Sequence, residues 1–508
     1  MQDTNEKKFD GRLLLVATLL ISICSIIYEL MISSISTYLN GDSIKQFSVT
    51  IGLYMSAMGI GSYISKYVKE DLFNKFIFIE LSTGLLGGFS TFILFMSNIY
   101  TKIYYLVMYL IIIAIGILVG LEIPLLTRII EENNSNIRIN LANIFTFDYI
   151  GGLLGSLAFP IILFPQLGFI TTAFLIGCIN IFVSFLILYK YRAFLKSYKK
   201  IRIIIIAAFL IITGFLLNGG IIATKIEDGL YRDDIIYSKQ TMYQKIVMTK
   251  HKDDLRLFLD GNIQFSSADE YRYHEALVHI PFMYAKKHSR ILILGGGDGL
   301  AAREILKYRD VNEIVLVDID SGMTELCKNN KQIARLNEAS LSDEKVTILN
   351  EDAYLYVSKN ENKFDIIIID LPDPNTEVLN KLYTNVFYNY VKANLSKDGV
   401  AVVQSTSPYY AKNSFWCINK TLSTQFKNVV PYHVQVPAFG EWGFNLVYNG
   451  EVKVKGLEVE TKYLMDENVE GMFVFGKDEK VDLDGIEIND MFKPALIGYY
   501  NNDVENWN

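Results

Sequence analysis

Arg290-Ile-Leu-Ile-Leu-Gly-Gly-Gly-Asp-Gly299 decides the reading of this chain. A short apolar run enters a glycine loop that carries one carboxylate, and a helical pattern follows. Glycines in that place let the backbone approach a nucleotide-like ligand closely. Asp298 then selects among such ligands. It repels one that sets a carboxylate beside the loop and attracts one that offers an ammonium.

Working outward, apolar strands at 291–294, 313–317, 346–349, 365–369 and 400–403 alternate with helical patterns. That alternation predicts a parallel, doubly wound α/β sheet. Ahead of it, 234–237, 244–249 and 255–259 read as strands of a small antiparallel module, and 268–287 as a helix. Ligands of doubly wound sheets sit beyond the carboxyl ends of the strands. Asp298 follows the first strand, Asp318 ends the second, Asp352 follows the third, and Asp370 and Asp373 follow the fourth. A carboxylate roughly 20 residues past the glycines typically takes ribose hydroxyls, which suits Asp318. Asp352 is placed to accept from an adenine amino group. One such Asp can be a mere helix cap; four strand ends each carrying one point to a ligand site. Decarboxylated S-adenosylmethionine has the ammonium and lacks the carboxylate.

The other half of the chain is different in kind. The protein has 508 residues, 51% of them hydrophobic, and nearly all long apolar runs precede residue 224. A helix needs about 20 apolar residues to cross the hydrocarbon core. Segments 13–34, 48–67, 76–96, 104–123, 144–164, 170–188 and 203–223 qualify, and small residues recur within them as lipid-embedded helix contacts favour. The expected fold is a multi-pass α-helical membrane domain, then a small antiparallel β-module, then an α/β doubly wound (Rossmann-like, class I methyltransferase-type) domain. The expected divisions are 1–223 (about seven transmembrane helices), 224–283 (β-module and connecting helix), 284–450 (catalytic domain) and 451–508 (C-terminal extension). Glu29, Glu80, Glu122 and Asp148 lie within or near spans. They read as interfacial or bundle-paired groups ahead of transport groups.

Positive charge gathers at Lys7, Lys8 and Arg12, at Lys66, Lys69 and Lys75, at Arg128 and Arg138, and most densely from Lys190 through Lys196 to Arg202. The alternate loops carry only Lys45 and Lys102. The amino terminus and the basic link are therefore expected to be cytoplasmic. The protein is expected at the cell membrane, and the face that carries the catalytic domain stays open. The first apolar run lacks a small-residue cleavage site and reads as a retained helix.

The net charge of −7, with no large basic block, argues against nucleic acid. Cys24 and Cys178 fall in apolar helices, while Cys327 and Cys417 stand far apart. No Cys/His spacing reads as a metal site or a disulfide framework.

With these residues in hand, the stretch from Tyr237 to Tyr448 resembles the spermidine synthase (polyamine aminopropyltransferase) family, in its membrane-fused branch. The motifs are Tyr243-Gln244, Leu259-Asp260-Gly261-Asn262-Ile263-Gln264, Asp269-Glu270, Tyr273-His274-Glu275, the glycine–aspartate loop Gly295–Gly299, and Asp370-Leu-Pro-Asp373-Pro374. The multi-span amino half and the tail around 486–507 are similar to that branch too. Departures lie on the acceptor side: Asn375 to Tyr383 replaces the Val-Gly-Pro-Ala of soluble members, and Phe439 stands where they carry a tyrosine.

The resemblance implies transfer of an aminopropyl group from decarboxylated S-adenosylmethionine to putrescine, giving spermidine and methylthioadenosine. It implies no metal or prosthetic group. Asp370 would take the proton from the acceptor amine. Gln244, Asp298, Asp318, Asp352 and Ala353 would bind the donor. Tyr273, His274, Asp373 and Gln264 would place the polyamine. Tyr409, Tyr410, Phe439 and Trp442 read equally as a wall for an alkyl chain or as core. Glu441 reads as a second ammonium partner or a solvated group. Expected partners are a polyamine, the adenosyl donor, the lipid bilayer and a second copy of the chain. Two other functions share these features: an S-adenosylmethionine-dependent methyltransferase on the same sheet, and a polyamine-sensing or transporting membrane protein with a regulatory soluble domain. Asp298 and the Asp370/Asp373 pair weigh against methyl transfer, which needs neither.

Overall fold

The computed structural model describes residues 11–507 except 42, 102, 134–136, 196, 232 and 453. Lys7, Lys8, Lys102 and Lys196 of the charge pattern lie outside the described residues. The chain forms two compact units, Met1–Arg232 and Asp233–Asn508.

The first unit is helical: α1 (Arg12–Asn40), α2 (Ser43–Ser65), α3 (Leu72–Tyr100), α4 (Tyr104–Asn133), α5 (Ile137–Ala158), α6 (Phe164–Lys190), α7 (Tyr198–Leu217) and α8 (Gly219–Leu230). Among the described residues, six helices are long and apolar enough to cross a membrane, against the expected seven. The difference lies at 138–190, which runs as one helix of 53 residues. A π-helical turn at Phe159–Leu163 and a non-helical Gly168 (φ 67°, ψ −178°) kink it between the two expected segments. The last expected segment, 203–223, ends early at Leu217, because Asn218 leaves the helical region before α8 begins. Close packing of α2 on α4 depends on missing side chains: a Cβ on Gly61 would sit 2.1 Å from the Ile117 carbonyl oxygen, and one on Gly120 2.1 Å from that of Met58. Glu80 and Glu122 are buried, while Glu29 and Asp148 are half-buried.

The second unit begins with an antiparallel four-stranded sheet in the order β1 (Asp234–Gln240), β2 (Lys245–His251), β3 (Asp254–Leu259), β4 (Asn262–Ser266). The fourth strand was not anticipated. Asp260 (φ 49°) and Gly261 (φ 83°) form the tight turn that folds β4 onto β3, as Asp-Gly pairs favour. Helix α9 (Glu270–Tyr284) then leads into a seven-stranded sheet.

Its strands are β5 (Arg290–Gly295), β6 (Glu313–Val317), β7 (Val346–Leu349), β8 (Phe364–Asp370), β9 (Leu395–Gln404), β10 (Asn428–Val436) and β11 (Gly440–Tyr448), in the order β10-β11-β9-β8-β5-β6-β7. Strands β5 to β9 are parallel, as predicted. The sheet as a whole is mixed, because β10 and β11 add an antiparallel hairpin. Pro431 is tolerated on β10 because that strand is the edge. Alternation sends Ile291, Ile293, Ile366 and Ile368 into one core and Leu292, Leu294, Ile367 and Ile369 into the other. Both faces are therefore covered, which explains the unbroken apolar runs. Strand β5 lies between β6 and β8, so the connections leave it in opposite directions. That switch point is where doubly wound sheets bind ligands.

Candidate active site

Parallel pairing of β5 with β8 sets Gly295 opposite Asp370 and so brings the glycine loop against the Asp370 turn. Gly295 has φ 85°, and a Cβ there would lie 2.0 Å from the Asp370 carbonyl oxygen. Any other residue would force the two loops apart. Asp298 is buried at the start of α10 (Leu300–Leu306), where its Oδ1 accepts the Leu300 amide at 2.9 Å. Its Oδ2 faces His274 Nε2 at 3.9 Å.

Helix α9 supplies the opposing groups. The Tyr273 hydroxyl donates to Asp370 Oδ1 at 2.5 Å. His274 Nδ1 contacts Glu270 Oε2 at 2.9 Å, and Arg303 grips Glu270 with two nitrogens at 2.8 and 3.0 Å. Burial opposes charge on His274, but the Glu270 hydrogen bond and the charges of Asp298, Glu270 and Asp370 outweigh it and push the imidazole up to about 9. His274 is therefore a fixed cation beside two carboxylates. Burial and the Asp298 charge push the Asp370 carboxyl up to about 6, against the pull of His274 and Tyr273. A carboxylate so raised, held within reach of an incoming amine, is suited to accept its proton.

Asp373 lies three residues on. Gln404 Nε2 donates to its Oδ1 at 3.3 Å and the Tyr500 hydroxyl to its Oδ2 at 2.9 Å. Burial pushes this carboxyl up to about 6 against those two hydrogen bonds. Phe439 meets Tyr273 edge-on, with ring centroids 6.0 Å apart, and Trp442 packs on Phe439 at 5.2 Å. Asp269 fixes that loop by accepting the Ala438 amide at 2.6 Å. Phe439 and Trp442 thus border the carboxylates, whereas Tyr409 and Tyr410 are exposed and belong to no core.

At the β6 end, Asp318 accepts the amides of Gly297 at 3.1 Å and Asp320 at 2.9 Å. Burial, with the charges of Asp320 and Asp298, pushes its carboxyl up to about 6. Gln244 donates to Asp320 at 2.9 Å and so reaches the same strand end. A cavity of about 380 Å³ opens there, lined by Thr241, Tyr243, Ile319, Asp320 and Asn350 among others.

Other predicted residues sit differently. Asp352 Oδ1 caps the helix that begins at Ala353, and Oδ2 pairs with Lys381 at 2.5 Å. These contacts fix the carboxylate at the end of β7, where its oxygens keep further acceptor capacity. Ala353 is buried in that first turn. Gln264 lies half-buried on β4 and donates to Asn262 O rather than to a group of the carboxylate cluster. Glu441 is half-buried and pairs with His433. Among the described residues, His433, Glu441 and Glu479 come close enough to hold a metal ion. Glu479 already accepts the Gly476 amide, so each of the three has a protein partner.

Sequence reasoning missed four neighbours of the cluster: Asp320, Tyr383, Gln404 and Tyr500. Asp320 had a signal, two residues past Asp318. Glu275 of the Tyr-His-Glu motif accepts the amides of Lys462, Tyr463 and Leu464, and so anchors the irregular segment that follows β11.

A family model described as "Spermine/spermidine synthase domain" matches residues 270–455. The polyamine aminopropyltransferase of Leptospira interrogans is 40% identical over 502 residues, covering 97% of this chain and 98% of its own. That of Oceanobacillus iheyensis is 39% identical over 500 residues, 96% of each chain. A crystal structure of spermidine synthase from Thermotoga maritima matches 48% of this chain and 84% of its own at 28% identity, with a TM-score of 0.44. Identity near 40% over almost the whole length, helical half included, carries the conclusion: this chain belongs to the spermidine synthase, or polyamine aminopropyltransferase, family.

Proposed function

We propose that the protein transfers the aminopropyl group of decarboxylated S-adenosylmethionine to putrescine, releasing spermidine and methylthioadenosine. One observation carries this: Asp298, Asp370 and the cation His274 converge at the switch point of the sheet, with Tyr273 holding Asp370. An ordinary adenosylmethionine carboxylate would meet Asp298 there, and the decarboxylated donor's ammonium is attracted instead.

The acceptor ammonium passes one proton to Asp370 Oδ2. The freed nitrogen attacks the methylene carbon next to the sulfonium sulfur. The new C–N bond forms as the C–S bond breaks, and both electrons of that bond leave with sulfur as a neutral thioether. Holding nitrogen, carbon and sulfur in line supplies the larger share of the acceleration. Asp370 delivers the unprotonated amine. Asp318, with Gln244 acting through Asp320, holds the ribose end, and Asp373 the far end of the diamine. Asp352 and Ala353, at the end of β7, take the adenine end of the donor, and Gln264 supports the polyamine side; the position of Asp352 at the cap of its helix supports this.

We also propose that the six apolar helices lie in the cell membrane, so that 1–223 anchors the β-module (224–283), the catalytic domain (284–450) and the extension (451–508). Their length and composition support this. Sedimentation of the protein with carbonate-washed membranes tests it.

The test of the chemistry is donor choice. Purified protein is given putrescine with either decarboxylated or ordinary S-adenosylmethionine, and products are read by mass spectrometry. Spermidine from the first donor alone is expected. A methylated amine from the second contradicts the proposal.

A further inference from the structure

The C-terminal helix Ala495–Trp507 is docked by buried polar contacts. Asp503 accepts from Asn413 Nδ2 at 2.8 Å, the Ser414 amide at 3.0 Å and the Ser414 hydroxyl at 2.9 Å. At the other end, Leu496 donates to Asn489 Oδ1 at 3.2 Å, and Asn489 Nδ2 donates to the Tyr383 carbonyl at 3.0 Å. This docking delivers one side chain to the carboxylate cluster: Tyr500, whose hydroxyl donates to Asp373 Oδ2 at 2.9 Å.

The second partner of Asp373 is weaker. Gln404 Nε2 has two hydrogens but also serves the Leu371 carbonyl and Tyr383 Oη, the latter at 2.9 Å, and it stands 3.3 Å from Asp373. Its amide cannot turn to improve that contact, because Oε1 already accepts from the Thr406 amide at 3.1 Å and Trp442 Nε1 at 3.2 Å. The orientation of the Asp373 carboxylate is therefore set by Tyr500. Among the described residues, no Lys, Arg or His forms an ion pair with Asp373. Asp373 is half-buried, and a carboxylate so placed without a protein cation can take one from a ligand. A diamine that gives one proton to Asp370 still carries an ammonium at its other end.

We propose that Tyr500 is a positioning residue for the acceptor: its phenol aims the Asp373 carboxylate at the distal ammonium and thereby sets which diamine length the site takes. This rests on the aminopropyl-transfer reading above. The irregular tail then has a function, which is to bring Tyr500 to the acceptor end of the site.

Full-length protein in detergent is assayed with decarboxylated S-adenosylmethionine and, in turn, 1,3-diaminopropane, putrescine and cadaverine. The unaltered protein is read first; absence of any aminopropylated product there defeats the underlying reading, whatever the variants do. Given product, Tyr500→Phe is expected to raise the KM for the preferred diamine about tenfold or more. Its kcat and donor KM stay within about threefold, and the preference among the three diamines flattens. Asp503→Asn, which loosens the helix without touching the cluster, moves the same parameters in the same direction. An unchanged acceptor KM and preference in Tyr500→Phe overturns the proposal. A donor KM that rises in step with the acceptor KM also overturns it, since that marks general damage.

Discussion

Tyr273 donates its phenolic proton to Asp370 Oδ1 across 2.5 Å, leaving Oδ2 as the oxygen open to a proton. A Cβ on Gly296 would lie 3.6 Å from that Oδ2, so it points toward the glycine loop. Tyr273 thus both orients the base and restrains the rise of its pKa. Tyr273→Phe removes the restraint. The acid limb of kcat/KM is expected to move to higher pH than in the parent, with a fall of about tenfold at neutral pH. A pH–rate profile of both proteins reads the shift.

The parent profile itself is fixed in direction. In the proposed reaction Asp370 must be ionised to accept the amine proton, and its carboxyl is raised to about 6. Activity is expected above that value and lost as pH falls through about 6, rather than near the ordinary aspartate value of about 3.9. Burial raises Asp373 to a similar value, so its protonation falls in the same pH range. An acid limb near 4 would contradict this account of burial.

The same shift makes Asp370 a cost to folding. Its folded-state value lies above the unfolded one, so the charged form is disfavoured in the fold. The penalty is complete above about 6 and vanishes below about 4. Asp370→Asn is therefore expected to raise the melting temperature at pH 7.5, with the gain shrinking as pH falls from 6 to 4. Differential scanning fluorimetry at a series of pH values measures it.

In the proposed reaction Asp298 is the group that excludes a carboxylated donor. Asp298→Asn is expected to keep the Leu300 cap through its side-chain oxygen yet lose the charge. Selectivity for decarboxylated over ordinary S-adenosylmethionine falls by about tenfold or more in competition binding. Unchanged selectivity would move donor discrimination elsewhere in the site.

Glu270 and Arg303 form a buried ion pair, each less than a tenth exposed. Glu270→Gln leaves Arg303 without its main counter-charge and removes the Glu270 charge that favours the protonated form of His274. Loss of about 3 kcal/mol or more of stability is expected. Chemical denaturation compared with the conservative Tyr273→Phe variant checks it.

The parts of the fold that were legible in the sequence are those that local chemistry dictates. Strands β5 to β8 are apolar on both faces because both faces are covered, and each is followed closely by a polar residue that the ligand end requires. Strand β4 was missed although Asp260-Gly261 is a strong hairpin signal. The β10–β11 hairpin was missed because its loop, Pro437-Ala438-Phe439, carries no such pair, and the turn closes on Gly440 at φ 86°. Asp352 shows what strand-end reasoning leaves out: its place after β7 was legible, but its ion pair with Lys381, 29 residues away, was not. Tyr500 is 127 residues from Asp373, and no local pattern joins them. Such contacts come from docking of a tail, which periodicity does not encode.

In the proposed reaction Asp370 takes the proton from the acceptor amine. This step is tested most directly by comparing the parent with Asp370→Asn in spermidine formation from decarboxylated S-adenosylmethionine and putrescine, with donor binding measured on both. A loss of about 10²-fold or more in kcat is expected, with donor affinity nearly unchanged. A variant that turns over at the parental rate would contradict it.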